Sequence, residues 1–267
     1  MNPIAIRAAA AVLAAARRSG AALDRLPPEL VPPTTTDAYR VQAELHRLLA
    51  PERGPRGGWK IGCTTPVMQA YLGIASPSAG TLYARTVAHG EGRFTIGHNR
   101  LGVECELAVR LGFDLDGGPD AITREDAADA VAAVMAAIEV VEDRYVDYTR
   151  LDAGTLIADD FFGAGCVIGP EMTDWRAMDL GAVTATMEIA GVVVGSGVGR
   201  DILDDPLAAL TWLANNQAAL GEPLRAGHVV LLGSLVQTHW VAAGDRVVVR
   251  NDPLGEVRAT FAAGPAA

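Results

Sequence analysis

A chain of 267 residues, half of them hydrophobic and a fifth charged, is long enough to bury a large core and is not a disordered tail. Its formal net charge of −10 disfavours a nucleic-acid partner, because such binding depends on clustered Lys and Arg that neutralise phosphates. The three cysteines are far apart, which fits neither a disulfide framework nor a zinc knuckle and favours a reducing cytoplasm. No run approaches the roughly 20 apolar residues of a transmembrane helix, so no membrane partner is expected.

The first 58 residues are predicted to form a helical N-terminal segment. One helix is expected over residues 3–19, with basic side chains in its last turn, and a second is expected to begin near Thr36 as its N-cap. Residues 51–58, with three glycines and two prolines, are predicted to end the second helix and to form a linker. The candidate boundary therefore separates residues 1–58 from a body at 59–267.

The body is predicted to be mostly β, crossed by a few helices. Alternating residues around 103–107 indicate a strand, and residues 123–138 are predicted to be a helix with a capping-box-like start, followed by a strand at 139–145. Other predicted elements are a strand at 59–63, a helical turn at 64–72, strands at 183–190, 192–194, 229–232, 246–249 and 256–261, and a helix at 206–220. This order is not a regular βαβ alternation and favours an α+β fold.

A glycine-rich run at residues 195–199 is interpreted as a turn. A dinucleotide-binding fingerprint would need glycine where Arg200 stands, and no βαβ unit surrounds the run.

The segment 103–107 carries the most informative pattern. In a strand, Glu104 and Glu106 project from one face while Cys105 faces the other way. On an exposed face the pair has no consequence, whereas in a cleft either one carboxyl keeps its proton or a cation lies between the two. Glu139 is a third acid, in an apolar run where a buried charge needs a partner. If the three meet, their all-oxygen donor set favours Mg²⁺ or Mn²⁺ over zinc.

Four short motifs follow one another in a specific order and spacing. They are Gly58-Trp59-Lys60-Ile61-Gly62, Glu104-Cys105-Glu106, Ile138-Glu139-Val140-Val141 with Arg144 after it, and Gly233-Ser234-Leu235. Together they resemble the 2-keto-4-pentenoate hydratase family, which includes 4-oxalocrotonate decarboxylases, within the fumarylacetoacetate hydrolase superfamily. The resemblance covers nearly the whole chain.

The resemblance implies a mixed β-roll or barrel behind the helical N-terminal segment, assembled into homo-oligomers. It implies that Glu104, Glu106 and Glu139 bind Mg²⁺ or Mn²⁺ and that Lys60 is the catalytic residue facing the substrate. The residues expected to bind the substrate are Gly233, Ser234, Leu235, Arg144 and Asp160. The implied reaction adds water to a short 2-hydroxydienoic or 2-keto acid through a metal-stabilised enolate, in the catabolism of aromatic compounds.

Two segments depart from the hydratase pattern. Ser78 follows Pro77 where such hydratases commonly carry an acid, and Phe161, Phe162 and Gly163 replace an alanine and two serines. A proton-transfer group is therefore missing, and water addition is one of several hypotheses. The others are a 2-keto diacid decarboxylase of the 4-oxalocrotonate type, a tautomerase or C–C hydrolase on the same fold, and a catalytically inactive relative that binds 2-keto acids.

Overall fold

Two N-terminal helices pack against each other. The computed structural model describes residues 1–64, 69–70, 73–117 and 121–264, so most of the helical turn expected at 64–72 lies outside the described residues. Helix α1 (Pro3–Ser19) begins at Asn2, whose side chain accepts a hydrogen bond from the Ala5 amide, and ends at Gly20 in the left-handed conformation. These bounds confirm the predicted helix.

Helix α2 (Thr35–Arg53) begins and ends differently from the prediction. Its N-cap is Thr34, whose hydroxyl accepts from the Asp37 amide, and not Thr36. Pro51 lies inside the last turn, and the helix continues to the amide of Gly54, which donates to Ala50 O. A proline near a helix end removes only one backbone donor, so the helix can continue through Pro51. The predicted linker is therefore reduced to Gly54 and Pro55 before the first strand.

Twelve strands form two sheets in the described part of the chain. The first sheet has the order β2-β1-β10-β5-β6-β7-β3 and the second has the order β4-β12-β11-β8-β9. The strands are β1 (Arg56–Gly62), β2 (Ser78–Tyr83), β3 (Val87–His89), β4 (Glu91–Ile96), β5 (Arg100–Leu111), β6 (Val131–Asp143), β7 (Gly163–Ile168), β8 (Thr184–Ile189), β9 (Val192–Val198), β10 (Val229–Trp240), β11 (Arg246–Asp252) and β12 (Gly255–Ala263). Three shorter helices are α3 (Arg124–Ala130), α4 (Ala153–Ala158) and α5 (Pro206–Ala219).

Most neighbouring strands are antiparallel, but β1 pairs in parallel with β10, β3 with β7, and β12 with β4. Side chains of α1 and α2 share one buried hydrophobic cluster with the strands, including Leu13, Leu45, Leu107 and Ile138. Helices packed on mixed sheets confirm the predicted α+β class. None of the helices in the described ranges is long and apolar enough to cross a membrane.

The predicted helix at 123–138 is wrong beyond residue 130. The capping box of Thr123 and Asp126 does start α3, but the chain turns into strand β6 at Val131. Strand β6 lies between β5 and β7 and is buried on both faces. A doubly buried strand has a continuous apolar sequence that periodicity cannot distinguish from a buried helix.

The glycine-rich run at 195–199 is also not a turn, because residues 195–198 belong to β9. A Cβ on Gly195 would lie 2.3 Å from Val236 Cγ1, and one on Gly197 would lie 2.0 Å from Leu235 O. These glycines therefore allow β9 to approach β10 closely.

Candidate metal and substrate site

Strand pairing brings three carboxylates to one point in the middle of the first sheet. Glu104 of β5 lies directly opposite Glu139 of β6, and Glu106 lies two residues further along β5. Their ligand oxygens all lie within 4.8 Å of one another. Glu106 and Glu139 are 0% and 1% exposed and Glu104 is half-buried, so the pair of Glu104 and Glu106 does not lie on an open solvent face. Cys105 points the other way, as predicted, with its thiol 3.7 Å from Asn251 Oδ1.

The buried carboxylates lack enough hydrogen-bond partners within the described residues. Glu106 Oε2 accepts from the Gly233 amide at 2.7 Å, but Glu106 Oε1 and Glu139 Oε2 have no hydrogen-bond donor there. Burial, reinforced by the neighbouring carboxylates, raises the pKa of Glu106 well above its ordinary value. Burial raises the pKa of Glu139 to about 7, although Lys60 opposes this shift.

This arrangement fits a hard divalent cation. Oxygens that each lie about 2.0–2.6 Å from one ion are at most about 5 Å apart, and the observed oxygens satisfy this limit. A cation would also satisfy the buried oxygens and remove the repulsion between the charges. Three carboxylates supply only part of a six-oxygen shell, so positions remain for water or substrate oxygens.

Lys60 of β1 lies beside the carboxylates and is 2% exposed. Its Nζ lies 3.0 Å from Glu139 Oε1 and donates a hydrogen bond of 2.6 Å to Phe161 O. Burial acts to lower the pKa of Lys60, but the carboxylates outweigh it, Glu139 most of all, and the net shift is upward. The ammonium group is therefore charged at neutral pH.

The Gly233-Ser234-Leu235 segment of β10 also reaches this point. Gly233 has a φ of 139°, and a Cβ there would lie 2.7 Å from Thr64 Cγ2, so a side chain would disturb the amide that donates to Glu106. The Ser234 hydroxyl donates to Val236 O at 2.6 Å. Ser234 and Leu235 both line the cavity described next.

A cavity of about 550 Å³ is lined by Lys60 and Glu104, and the ligand oxygens of Glu106 and Glu139 lie within 4.8 Å of that of Glu104. Its polar lining includes Glu104, whose carboxylate accepts a hydrogen bond from the Thr238 hydroxyl. Its apolar lining consists mainly of Val141, Tyr148, Phe161, Phe162, Leu235 and Trp240. The cavity therefore has charged groups in one part of its lining and a largely aromatic wall in the rest.

Arg144 and Asp160, two of the residues predicted to bind substrate, lie elsewhere and are not among the described residues that line the cavity. The Arg144 guanidinium is buried, with Nε 2.9 Å from Asp159 Oδ2 and Nη1 donating to Gly163 O at 3.1 Å. Asp160 Oδ1 accepts from the Thr81 amide at 3.0 Å. Their contacts instead fix the segment 159–163, in which Phe161 and Phe162 line the cavity.

Arg17 of α1 completes this buried network and was missed by sequence reasoning. Its Nε lies 2.6 Å from Asp159 Oδ1, and its Nη1 lies 3.1 Å from Asp160 Oδ2. In the sequence it is one of two arginines in a last helical turn, and nothing local distinguishes it from Arg18.

The network supports an unusual backbone next to Lys60. Asp160, Phe161 and Phe162 have φ values of 54°, 48° and 67°. The left-handed region is unfavourable for bulky side chains and costs about 1–3 kcal/mol per residue unless the surroundings enforce it. This turn presents Phe161 O to Lys60 and two aromatic rings to the cavity.

Comparison with known proteins agrees with this architecture. Residues 73–262 match the fumarylacetoacetate (FAA) hydrolase C-terminal family, and the chain belongs to that family. Its relatives include the 2-keto-4-pentenoate hydratase of Burkholderia vietnamiensis, 36% identical over 227 residues, which are 85% of this chain and 86% of the relative. The TodF product hydratase of Pseudomonas putida is 38% identical over 264 residues, 97% of this chain and 96% of the relative.

Solved structures show the same fold. That of 4-oxalocrotonate decarboxylase from Pseudomonas putida G7, complexed with magnesium and adipate, has a TM-score of 0.90 and 27% identity and covers 98% of both chains. The family resemblance that the sequence motifs predicted is confirmed.

Proposed function

We propose that this protein is a divalent-metal-dependent hydro-lyase of the 2-keto-4-pentenoate hydratase type. Its substrate is a short 2-hydroxydienoic or 2-keto acid formed in the catabolism of aromatic compounds. The convergence of Glu104, Glu106, Glu139 and Lys60, two of which line one cavity, carries this proposal. Hydratase relatives at 36% and 38% identity support it.

The three glutamates are the residues that would hold the metal, and Mg²⁺ or Mn²⁺ suits their oxygen donors. The related decarboxylase structure contains magnesium, which supports this choice. When bound, the ion would supply Lewis-acid stabilisation of negative charge on the oxygens of a 2-keto acid.

The protein's own groups would position the substrate and move its proton. Lys60 Nζ is fixed by Glu139 and Phe161 O at the edge of the cavity, so it can donate to a substrate carboxylate or transfer a proton to a nearby carbon. The Gly233 amide holds Glu106 in place from β10. The rings of Phe161 and Phe162 line the cavity and would contact the bound acid.

Glu106→Gln tests the metal site. Loss of one carboxylate ligand is expected to lower Mn²⁺ affinity by at least about 10- to 100-fold, the range for removal of the outer-shell partners of metal ligands, and to lower metal-dependent turnover with it. Glu171→Gln is the matched control, because Glu171 is half-exposed and pairs with Arg110 at the surface. Calorimetry with Mn²⁺ and turnover of a 2-hydroxydienoate measure the two effects. Full metal-dependent turnover in Glu106→Gln would refute the proposal.

A 4-oxalocrotonate-type decarboxylase is the second candidate, favoured by Ser78. This residue is fully buried at the start of β2, and its hydroxyl has no hydrogen-bond partner among the described residues, so the acid common in hydratases has no replacement there. Incubation with a 2-hydroxydienoate, and separately with a vinylogous 2-keto diacid, distinguishes the reactions by hydrated product or CO₂. Metal-dependent oxalate binding without any turnover would instead indicate an inactive binding relative.

The cytoplasmic location and the homo-oligomeric state are parts of the same proposal. Cys63, Cys105 and Cys166 are all free and buried, which suits a reducing compartment. Light scattering of the purified protein would measure the number of subunits.

A further inference from the structure

One face of the first sheet changes from charged to apolar within a single step along the strands. On β5, Glu104 and Gly102 project from the same face, two residues or about 7 Å apart. Glu104 pairs with Glu139, whereas Gly102 pairs with Val141 on one side and Trp240 on the other. The row of metal-ligand candidates is therefore followed by a row whose flanking side chains are apolar.

Gly102 has no side chain, and the space beside it is taken up by the side chains of neighbouring strands. A Cβ there would lie 3.0 Å from Val141 Cγ2, from Trp240 Cε3 and from Thr238 Cγ2, so these side chains close around the glycine on the cavity side of the sheet. Val141, Thr238 and Trp240 all line the cavity. A substrate bound by its acid head at the carboxylates would extend its far end over this row.

The segments between β6 and β7 contribute aromatic rings to the cavity as well. The Phe162 ring centroid lies 5.5 Å from that of Tyr148 and 5.6 Å from that of Phe161, with both pairs edge to face. All three rings line the cavity. The far end of a bound acid would thus contact apolar groups of both sets, and the polar lining residues Asp201 and Gln237 carry no positive charge.

No cation is free to receive a second carboxylate in the described lining of the cavity, where Lys60 is the one basic side chain. Arg100 lies next along β5, with its guanidinium carbon 4.0 Å from the Trp240 ring centroid. It is already bound to Asp143, with Nη2 2.8 Å from Oδ2. A charged end placed against this wall would lose hydration without gaining a partner.

We propose that the site selects 2-keto or 2-hydroxydienoic acids whose far end carries an uncharged alkyl or aryl group, and that it rejects the corresponding diacids. Trp240, Val141 and Phe162 are the specificity-determining residues. This inference rests on the proposed function, because the acid head must first be held at the carboxylates. The cavity of about 550 Å³ lies within the range of about 300–1,000 Å³ that encloses drug-sized ligands, so it has room for a ring-sized group.

Three unreactive probes test the proposal with the whole protein in Mg²⁺. The probes 2-oxohexanoate and 2-oxohexanedioate differ only in a terminal methyl or carboxylate, and 4-phenyl-2-oxobutanoate adds a ring. Calorimetry is expected to show the monoacid binding on the order of tenfold or more tightly than the diacid, with the phenyl acid at least as tight as the alkyl acid. Equal or tighter binding of the diacid would overturn the proposal.

Variants at the wall give a second test. Trp240 is 41% exposed, so the fold is expected to tolerate changes there. Trp240→Ala is expected to reduce the preference for the phenyl acid, and Trp240→Arg to shift binding towards the diacid. Phe113→Ala is the control, because Phe113 is 69% exposed and does not line the cavity. Unchanged selectivity in both Trp240 variants would exclude this wall as the determinant.

The outcomes separate this proposal from the proposed function. If monoacid and diacid bind equally well and only with Mg²⁺, the selectivity proposal fails while the metal-dependent site stands. If Arg100→Gln then abolishes diacid binding, Arg100 is the group that recognises the second carboxylate. If no 2-keto acid binds in the presence of Mg²⁺, both proposals fail.

Discussion

Replacing Arg17 with Met tests whether the N-terminal helix supports the cavity wall. The Arg17 side chain is 1% exposed and contacts Asp159 Oδ1 at 2.6 Å, Asp159 O at 2.6 Å and Asp160 Oδ2 at 3.1 Å. Burial acts to lower the pKa of Arg17, but Asp159 and Asp160 outweigh it and raise it above its usual range. Burial acts to raise the pKa of Asp159, but Arg144 and Arg17 outweigh it and lower that pKa, so Arg17 and Asp159 are both charged at neutral pH.

The expected loss of stability follows from this burial. Removing one partner of a buried ion pair costs about 3–5 kcal/mol, because the other charge stays buried without compensation. Met retains much of the apolar volume, and Arg144 Nε remains 2.9 Å from Asp159 Oδ2. We therefore expect a loss near the lower limit, about 3 kcal/mol.

A second effect of Arg17→Met is expected on activity. Asp160 begins the left-handed turn that presents Phe161 O to Lys60, and without Arg17 this turn is less firmly held. A fall in kcat at saturating Mg²⁺ and substrate is expected, beyond what the unfolded fraction explains. Arg17 acts here as a positioning residue, because it lies outside the cavity lining and acts through Asp160.

Arg18→Met is the matched control in the same helical turn. The Arg18 side chain is 46% exposed and pairs with Glu52, so its loss is expected to cost less than about 1 kcal/mol. Urea denaturation gives both free energies of unfolding from the transition midpoints. Equal stability of the two variants would refute the reasoning, as would an Arg17→Met protein that is destabilised but keeps the parent kcat.

Two further predictions concern a glycine and a histidine. Gly233→Ala is expected to weaken Mn²⁺ binding measured by calorimetry, because its Cβ would lie 2.7 Å from Thr64 Cγ2 and shift the amide that holds Glu106. Gly244→Ala is the control, because Gly244 also has a positive φ but has open space around its Cβ position, so Mn²⁺ affinity should not change. Burial, together with Arg56, lowers the pKa of His46 from about 6.5 in the unfolded chain to about 4. Below about pH 6.5 the unfolded chain binds a proton that the folded protein does not, so the free energy of unfolding should fall as the pH drops from about 6.5 towards 4. His46→Phe should lose less stability than the parent between pH 7 and pH 5 in urea denaturation, and an equal loss in both proteins would contradict this.

Local chemistry allowed several features to be read from the sequence. The caps of α1 lie within a few residues of its ends, so its bounds were predictable. The shared face of Glu104 and Glu106 was also predictable, because side chains alternate along any strand with a period of two. The motifs further identified the family, which the match over residues 73–262 confirms.

Other features depended on neighbours that are distant in the chain. Residues 131–138 form a strand because β5 pairs with them along nearly their whole length and β7 pairs with residues 137 and 138 on the other side, whereas the sequence itself is equally suited to a buried helix. The run at 195–199 resembles a turn until the close approach of β10 explains its glycines.

The sequence alone determined which residues could bind a metal, since the carboxylates and their spacing along β5 are local facts. Only the tertiary structure decided that Glu139 lies opposite Glu104, that Arg17 contacts Asp160 beside Phe161, and that Trp240 lines the cavity. The physical reason is that strand register and helix packing are set by the burial of whole faces. No single segment contains the information that places two such faces together.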